Sequence, residues 1–163
     1  MINNVKIRRA DIRDLGEILR LNFDLFKKEH EEYDESLNLR WTHNDGERYF
    51  SDRILKENGF VEIAEFKNKI IGYLCGGISE REFYRRKAKY AELENMLVEN
   101  SFRDKGIGTE LTKNFIDWCK RNKVSYIAVT ASAQNKQGID FYRALGFKDY
   151  NLTLEMVTEK KRK

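Results

Sequence analysis

The stretch Arg103-Asp104-Lys105-Gly106-Ile107-Gly108, continued by Thr109-Glu110-Leu111, decides how the rest of the chain is interpreted. The apolar run Met96-Leu97-Val98 precedes it, and apolar residues at helical spacing follow it, which predicts a strand, a glycine loop and a helix. The glycines let backbone N–H groups approach a ligand without an intervening Cβ. The helix start and the side chains of Arg103 and Lys105 add positive charge. The sequence therefore predicts a pyrophosphate site.

Two other phosphate-binding motifs do not fit this loop. The third glycine of a dinucleotide-binding fingerprint would fall at Leu111, and a Walker loop needs Gly-Lys-Ser/Thr where Gly108 is followed by Thr109-Glu110. The alternative without a ligand is a glycine-rich turn that leads into a surface helix. The strand before the loop and the helix after it favour the ligand.

The order Arg-x-x-Gly-x-Gly between a strand and a helix resembles the acetyl-CoA loop of the GNAT superfamily of N-acetyltransferases. A second GNAT-like signature follows in the right order, from Asn135 to Phe141-Tyr142-Arg143-Ala144-Leu145-Gly146-Phe147. The resemblance extends over residues 5–157. It implies an α/β GNAT fold, with a mixed, mostly antiparallel twisted sheet flanked by helices on both faces. We expect a single domain over residues 1–157 and a basic C-terminal tail over residues 158–163.

Composition limits the classes of protein to which the chain can belong. It has 163 residues, 40% of them hydrophobic and 36% charged, with a net charge of +4, which indicates a folded domain and excludes a disordered chain. Acids and bases alternate, so the charge does not indicate a nucleic-acid binder. The basic and aromatic stretch over residues 81–89 could bind nucleic acid, but Glu80 and Glu82 dilute it, and a solvated hairpin tip is favoured. A nucleic-acid partner is therefore disfavoured.

Cysteine usage and hydropathy predict a cytoplasmic protein. Cys75 and Cys119 are far apart without metal-ligand spacing, so reduced, core-facing thiols and no metal site are expected. No apolar signal region begins the sequence and no run is long enough to span a membrane, so no membrane partner is expected.

Periodicity and turn residues predict the remaining elements. Helices are expected over about residues 10–28, from Asp45 to the Asn58-Gly59 stop, after the glycine loop, and from Asn135 to Gly146. The expected strands cover residues 5–8, 60–66 and 69–78, with a Lys67-Asn68 hairpin turn between the last two, then residues 89–98, a buried strand over 125–130 and a final strand over 148–157.

The run Glu29-His30-Glu31-Glu32-Tyr33-Asp34-Glu35 carries five carboxylates in seven residues. Its favoured interpretation is a solvated connector, because charge runs usually are. The functional alternative is a wall that recognises a cationic acceptor amine. Residues 27–58 as a whole are expected to form the acceptor pocket, and they match no substrate class.

Glu92 and Glu94 would share one face of the strand that leads into the glycine loop, with Leu93 on the other face. By the resemblance, Glu92 falls where histone-type acetyltransferases carry a general base, and Glu94 where polyamine-type enzymes carry an acid. Glu94 is the preferred candidate for binding the substrate or acting as the base, and Glu92 is kept as the second candidate. Direct proton transfer from an alkylammonium to an ordinary Glu is uphill by about 8 kcal/mol. We therefore expect a raised Glu pKa, a mediating water or selection of the neutral amine.

The resemblance also implies roles for the second signature and for the cofactor-binding residues. Tyr142 would protonate the leaving thiolate, with either a lowered pKa or a hydrogen bond that becomes proton donation only in the transition state. Backbone N–H groups near Leu97 and Val98 would stabilise the oxyanion if the strand splays from its neighbour. The implied cofactor-binding residues are Met96, Leu97, Val98, Arg103, Asp104, Lys105, Gly106, Ile107, Gly108, Thr109, Asn135 and Tyr142.

The function implied is acetyl transfer from acetyl-CoA, as co-substrate, to a primary amine by direct attack in a ternary complex. The acceptor is a small-molecule or peptide amine, and the acidic run gives polyamines a slight preference. The alternative is a non-catalytic acyl-CoA-binding module that senses or recruits. Superfamily members are often dimers, so a homodimer is kept as an expectation that nothing in the sequence fixes.

Overall fold

A computed structural model describes residues 4–158. The five strands of the sheet lie in chain order, and each neighbouring pair is antiparallel except the last, which is parallel. This confirms the mixed, mostly antiparallel α/β sheet expected from the sequence. The strands are β1 (Val5–Arg9), β2 (Gly59–Phe66), β3 (Lys69–Ser79), β4 (Tyr90–Val98) and β5 (Tyr126–Val129).

Helices cover both faces of this sheet. A 3₁₀ turn (Ile12–Asp14) leads into α1 (Leu15–Glu32), which shares one face with α2 (Trp41–Asn44) and α3 (Gly46–Leu55). The opposite face holds α4 (Ile107–Arg121) and α5 (Lys136–Ala144). Each face has its own apolar cluster, one centred on Phe50 and Tyr73 and the other on Phe115 and Leu111. Within residues 4–158, no helix combines the length and the apolar character that crossing a membrane requires.

Local sequence accounts for several boundaries. The hairpin between β2 and β3 turns at Lys67 and Asn68, whose φ angles of 49° and 62° are the left-handed pair that a two-residue hairpin needs. Helix α1 does not end near residue 28, because Lys27–Glu31 and Lys28–Glu32 pairs one turn apart continue the helix into the acidic run. The expected connector is therefore wrong as far as residue 32.

A β-bulge lies in β4 at Glu94. Cys75 pairs with Asn95 and Gly76 with Leu93, so Glu94 is the extra residue. The bulge interrupts the alternation of side chains. Leu93 and Met96 pack on the α4 face, whereas Glu94 and Asn95 both reach residues of the α1–α3 face.

The final strand expected over residues 148–157 is wrong. No strand forms there, and its alternating apolar residues are 66% to 85% exposed: Tyr150, Leu152, Leu154 and Met156. A strand needs a ladder partner, and Arg143–Asp149 and Arg85–Tyr150 contacts hold the start of the segment. As a consequence β5, expected to be buried, is an edge strand with Tyr126 half exposed. Lys160 to Lys163 of the expected tail lie outside the described residues.

Candidate active site

A cleft opens where β4 and β5 separate. The two strands pair from Tyr90 with Tyr126 to Leu93 with Val129, and β5 ends there. From Glu94 onward, the side of β4 that faces away from β3 therefore has no strand neighbour. The resulting cleft has a volume of about 360 Å³ and is lined by residues 93–98, 129–131 and the start of α4. The splay on which the expected oxyanion-binding amides depend is present.

The glycine loop turns the chain from β4 into α4. Asp104 and Gly106 adopt left-handed backbone conformations with φ of 58° and 82°. The N–H of Glu110 donates to the carbonyl of Gly106, which makes it the first helical bond, so the amides of the three preceding residues have no partner within the helix. Those residues, 107–109, line the cleft. The structure thus confirms the predicted strand, loop and helix.

The two basic side chains of the loop differ in placement. Arg103 lines the cleft, and its Nε donates to the carbonyl oxygen of Val98 at 3.0 Å. The Nζ of Lys105 donates to the carbonyl of Ser101 at 2.7 Å, and Lys105 does not line the cleft. Every other residue expected to bind the cofactor lies on the cleft wall: Met96, Leu97, Val98, Arg103, Asp104, Gly106, Ile107, Gly108, Thr109, Asn135 and Tyr142.

Helix α5 brings Tyr142 to the cleft. The Asn135 side chain caps α5 by accepting from the N–H of Gly138 at 2.9 Å, as expected. Phe141 packs near Gly108, where an added Cβ would lie 3.5 Å from its ring. Burial raises the pKa of Tyr142, so the phenol stays protonated at neutral pH. Of the two expectations for Tyr142, this direction favours a hydrogen bond that becomes proton donation in the transition state.

Glu92 and Glu94 lie on the same face of β4, as the strand alternation predicts, but their surroundings differ. Glu94 lines the cleft and is 15% exposed, and it accepts from Tyr49 Oη at 2.6 Å and from Arg53 Nε at 2.9 Å. Glu92 does not line the cleft. Burial, followed by the charge of Glu94, raises the pKa of Glu92, which is the direction expected for a base that receives an amine proton.

The model of the acetyltransferase (GNAT) family matches residues 16–147. The chain belongs to this family. The observed sheet, mostly antiparallel and flanked by helices on both faces, is the fold that the resemblance implied for a GNAT.

Two relatives and one solved structure place this GNAT among known proteins. An uncharacterized N-acetyltransferase of Methanocaldococcus jannaschii is 28% identical over 154 residues, covering 91% of this chain and 63% of that protein. Thialysine N-epsilon-acetyltransferase of Bos taurus is 26% identical over 160 residues, covering 89% of this chain and 85% of that protein. A predicted acetyltransferase from Clostridium acetobutylicum, crystallised with acetyl-CoA, has a TM-score of 0.77 at 22% identity, covering 94% of this chain and 96% of the other.

Sequence reasoning missed the polar network that supports Glu94 in this GNAT. Tyr49 and Arg53 lie four residues apart on α3, and Tyr49 Oη also accepts from Asn95 Nδ2 at 3.1 Å. Fully buried Asn22 donates to Asn95 Oδ1 at 3.3 Å and so connects α1 to the bulge. The spacing of residues 49 and 53 indicated a shared helix face. Only the contacts between distant parts of the chain identify their partners.

Sequence reasoning also underestimated Glu29. The charge pattern favours a solvated connector there, yet Glu29 and Tyr33 line the cleft of this GNAT. Its spacing of four residues from both Leu25 and Tyr33 was a usable signal, because it places all three on one face of α1. Within residues 4–158, no group of three or more His, Cys, Asp or Glu side chains gathers in a way that could hold a metal ion.

Proposed function

We propose that this protein transfers an acetyl group from acetyl-CoA to a primary amine within a ternary complex, without a covalent enzyme intermediate. One observation carries the proposal: the splay between β4 and β5 opens onto the unpaired amides of α4, and Tyr142 faces the same cleft. A thioester carrier with a diphosphate needs an anion site at one end and a protected reaction point at the other. The presence of these amides and of Tyr142 on one cleft supports both roles.

The co-substrate is proposed to bind along this wall. The diphosphate binds the amides of residues 107–109 and Arg103, since a helix N-terminus with a basic side chain favours an anion. The pantetheine arm follows the edge of β4 at Met96–Val98 that has no strand neighbour. Backbone groups there can form hydrogen bonds with the arm that they would otherwise form with β5. Asn135 contributes from the start of α5. The open space around Gly106, where an added Cβ would meet nothing within 4 Å, leaves room for the phosphates.

The chemical step is a direct displacement at the thioester carbon. The amine nitrogen attacks that carbon, a tetrahedral oxyanion forms, the C–S bond breaks, and the thiolate takes a proton from Tyr142. Amides near Leu97 and Val98 donate to the oxyanion. The acceptor nitrogen enters as an ammonium and leaves as an amide, so it loses two protons: one restores the Tyr142 phenol through solvent, and the other is the net proton released. We propose that it passes through water to Glu92, with Glu94 held by Arg53 and Tyr49 to orient that water.

The acceptor is proposed to be a small molecule with a primary alkylamine. The name of the bovine relative specifies the ε-amine of thialysine, which supports an amine at the end of a short chain. Polyamines also end in a primary amine, and the acidic side chains that line the cleft favour such cations, so polyamines remain candidate acceptors. Both cysteines are buried free thiols, which supports a reducing compartment such as the cytoplasm. A homodimer stays a prediction.

Thiol release from acetyl-CoA against a panel of amines tests this function. The panel contains alkyl monoamines, diamines, polyamines, thialysine, aminoglycosides and a lysine-containing peptide. We expect release that depends on the amine and follows saturation kinetics with at least one member. CoA binding without release for any amine would support a sensor or recruitment module and would contradict the proposed catalysis.

A further inference from the structure

Glu29 lies at the cleft wall on the last turns of α1. Leu25, Glu29 and Tyr33 follow one another at intervals of four residues and all line the cleft, so one face of α1 borders it. Residues of β4 and of the first turn of α4 line the same cleft. Of the acidic side chains of α1, only Glu29 lies on this wall.

The carboxylate of Glu29 has no partner within residues 4–158. The other acidic residues of α1 each form an ion pair with a base three or four residues away: Glu17 and Asp24 with Arg20, Glu31 with Lys27 and Glu32 with Lys28. Glu29 forms no hydrogen bond or ion pair in the described part of the chain. Its neighbours one turn away on either side are Leu25 and Tyr33, which supply no positive charge. Lys28 also lines the cleft and lowers the pKa of Glu29, but its ion pair is with Glu32.

Glu29 is half-buried, and that burial raises its pKa. Tyr142 lines the same cleft, and the charge of Glu29 adds to the effect of burial in raising the pKa of that phenol. An unpaired, partly desolvated carboxylate is costly to the folded protein, and a cationic ligand group would offset that cost.

The acidic residues of β4 are less available to a ligand. Glu94 already accepts from Arg53 and Tyr49, and Glu92 does not line the cleft. We propose that Glu29 binds the ammonium of the acceptor and makes the protein select acceptors that carry a positive charge. The inference rests on the proposed function for the identity of that ligand as an amine. It assigns a binding role to a residue of the acidic run that sequence patterns favoured as a connector.

Calorimetric titration with butylamine and with butanol, with and without saturating CoA, tests this site directly. The two probes share a four-carbon chain and differ in charge. We expect the wild type to prefer butylamine, and Glu29→Gln to bind butylamine about tenfold or more weakly, because a hydrogen bond to a charged group is lost. Glu31→Gln makes the same charge change on the exposed side of α1 and should leave binding unchanged. Equal binding of butylamine by the wild type and Glu29→Gln would overturn the proposal, as would a wild type without preference for the amine.

Steady-state kinetics provide a second test. A merely structural role of Glu29 would not change KM for the amine selectively. Glu29→Gln should raise KM for alkylamines while KM for acetyl-CoA stays within about twofold, because the change lies at the acceptor side. It should also reduce discrimination between an alkylamine and aniline, which is neutral at pH 7.

If the wild type binds butylamine as expected but acetylates no amine, the proposed function fails and the ammonium site stands. If acetylation occurs but Glu29→Gln behaves as Glu31→Gln, only the role of Glu29 fails.

Discussion

The guanidinium of Arg53, on α3, forms an ion pair with the carboxylate of Glu94, the extra residue of the β4 bulge. The two residues are 41 positions apart in the sequence and are 19% and 15% exposed. Tyr49 donates to the same carboxylate at 2.6 Å. Helix α3 thus contacts β4 at the point where it leaves β5.

Removing one member of this pair should destabilise the fold. Arg53→Met leaves the Glu94 carboxylate partly buried with Tyr49 as its remaining partner, so we expect a loss of about 2 kcal/mol in the free energy of unfolding. Lys56→Met, immediately after the same helix, breaks the exposed pair with Asp52 and should cost less than about 0.5 kcal/mol. Urea denaturation measures both. Equal losses for the two variants would contradict a special role for Arg53.

Substitution of Gly106 should affect both the backbone and the anion site. Its φ of 82° disfavours any side chain, so Gly106→Ala should lose about 1 kcal/mol of stability. It should also weaken CoA binding, because a Cβ would occupy the open space proposed for the diphosphate. Gly16→Ala, within α1 and with nothing near its added Cβ, should instead gain about 1 kcal/mol. Thermal unfolding and CoA titration of the two variants provide the check, and unchanged CoA affinity in Gly106→Ala would count against the site.

Loss of the Tyr142 hydroxyl should lower the rate without unfolding the protein. That hydroxyl has no hydrogen-bond partner among the described residues, so Tyr142→Phe should keep its stability within about 0.5 kcal/mol. We expect kcat to fall about 100-fold with an unchanged KM for acetyl-CoA, since the proton donor acts only in the transition state. Tyr126→Phe, on the half-exposed edge strand, is the control. A rate for Tyr142→Phe close to that of the control would exclude the acid role.

The unpaired carboxylate of Glu29 should give stability a distinct pH dependence. Its folded pKa is raised, so below the unfolded value of about 4.3 the group is protonated in both states and has no effect. As the pH rises through the folded pKa, ionisation favours the unfolded chain and stability is lost. The groups coupled to its charge are Lys28, Tyr33, Asp34, Tyr73 and Tyr142.

Glu29→Gln removes this titration. Its stability relative to the wild type should therefore be greater at pH 7 than at pH 4, whereas Glu31→Gln should show no such rise. Urea denaturation at both pH values measures the difference. A relative stability of Glu29→Gln that stays constant with pH would show that its carboxylate is not destabilised by burial.

The local sequence predicts the order of the elements from β1 to α5 except the short helix α2, the hairpin at Lys67 and Asn68, the glycine loop into α4 and the Asn135 cap of α5. It also placed Glu92 and Glu94 on one strand face and indicated the family from two signatures. These features depend on the conformations of a few neighbouring residues and on the period of a single strand or helix. Such information is contained within a short window of the chain.

Contacts between distant parts of the chain determine where β4 parts from β5, that the bulge falls at Glu94, and that Arg53 and Tyr49 contact it. The same kind of contact places Glu29 at the cleft wall, and residues 148–157 lack a strand partner. The reason is the same in each case, since ladder pairing and charge burial depend on residues that are distant in sequence. Apolar alternation can indicate which face a strand would bury, but it cannot supply the neighbour against which a strand forms.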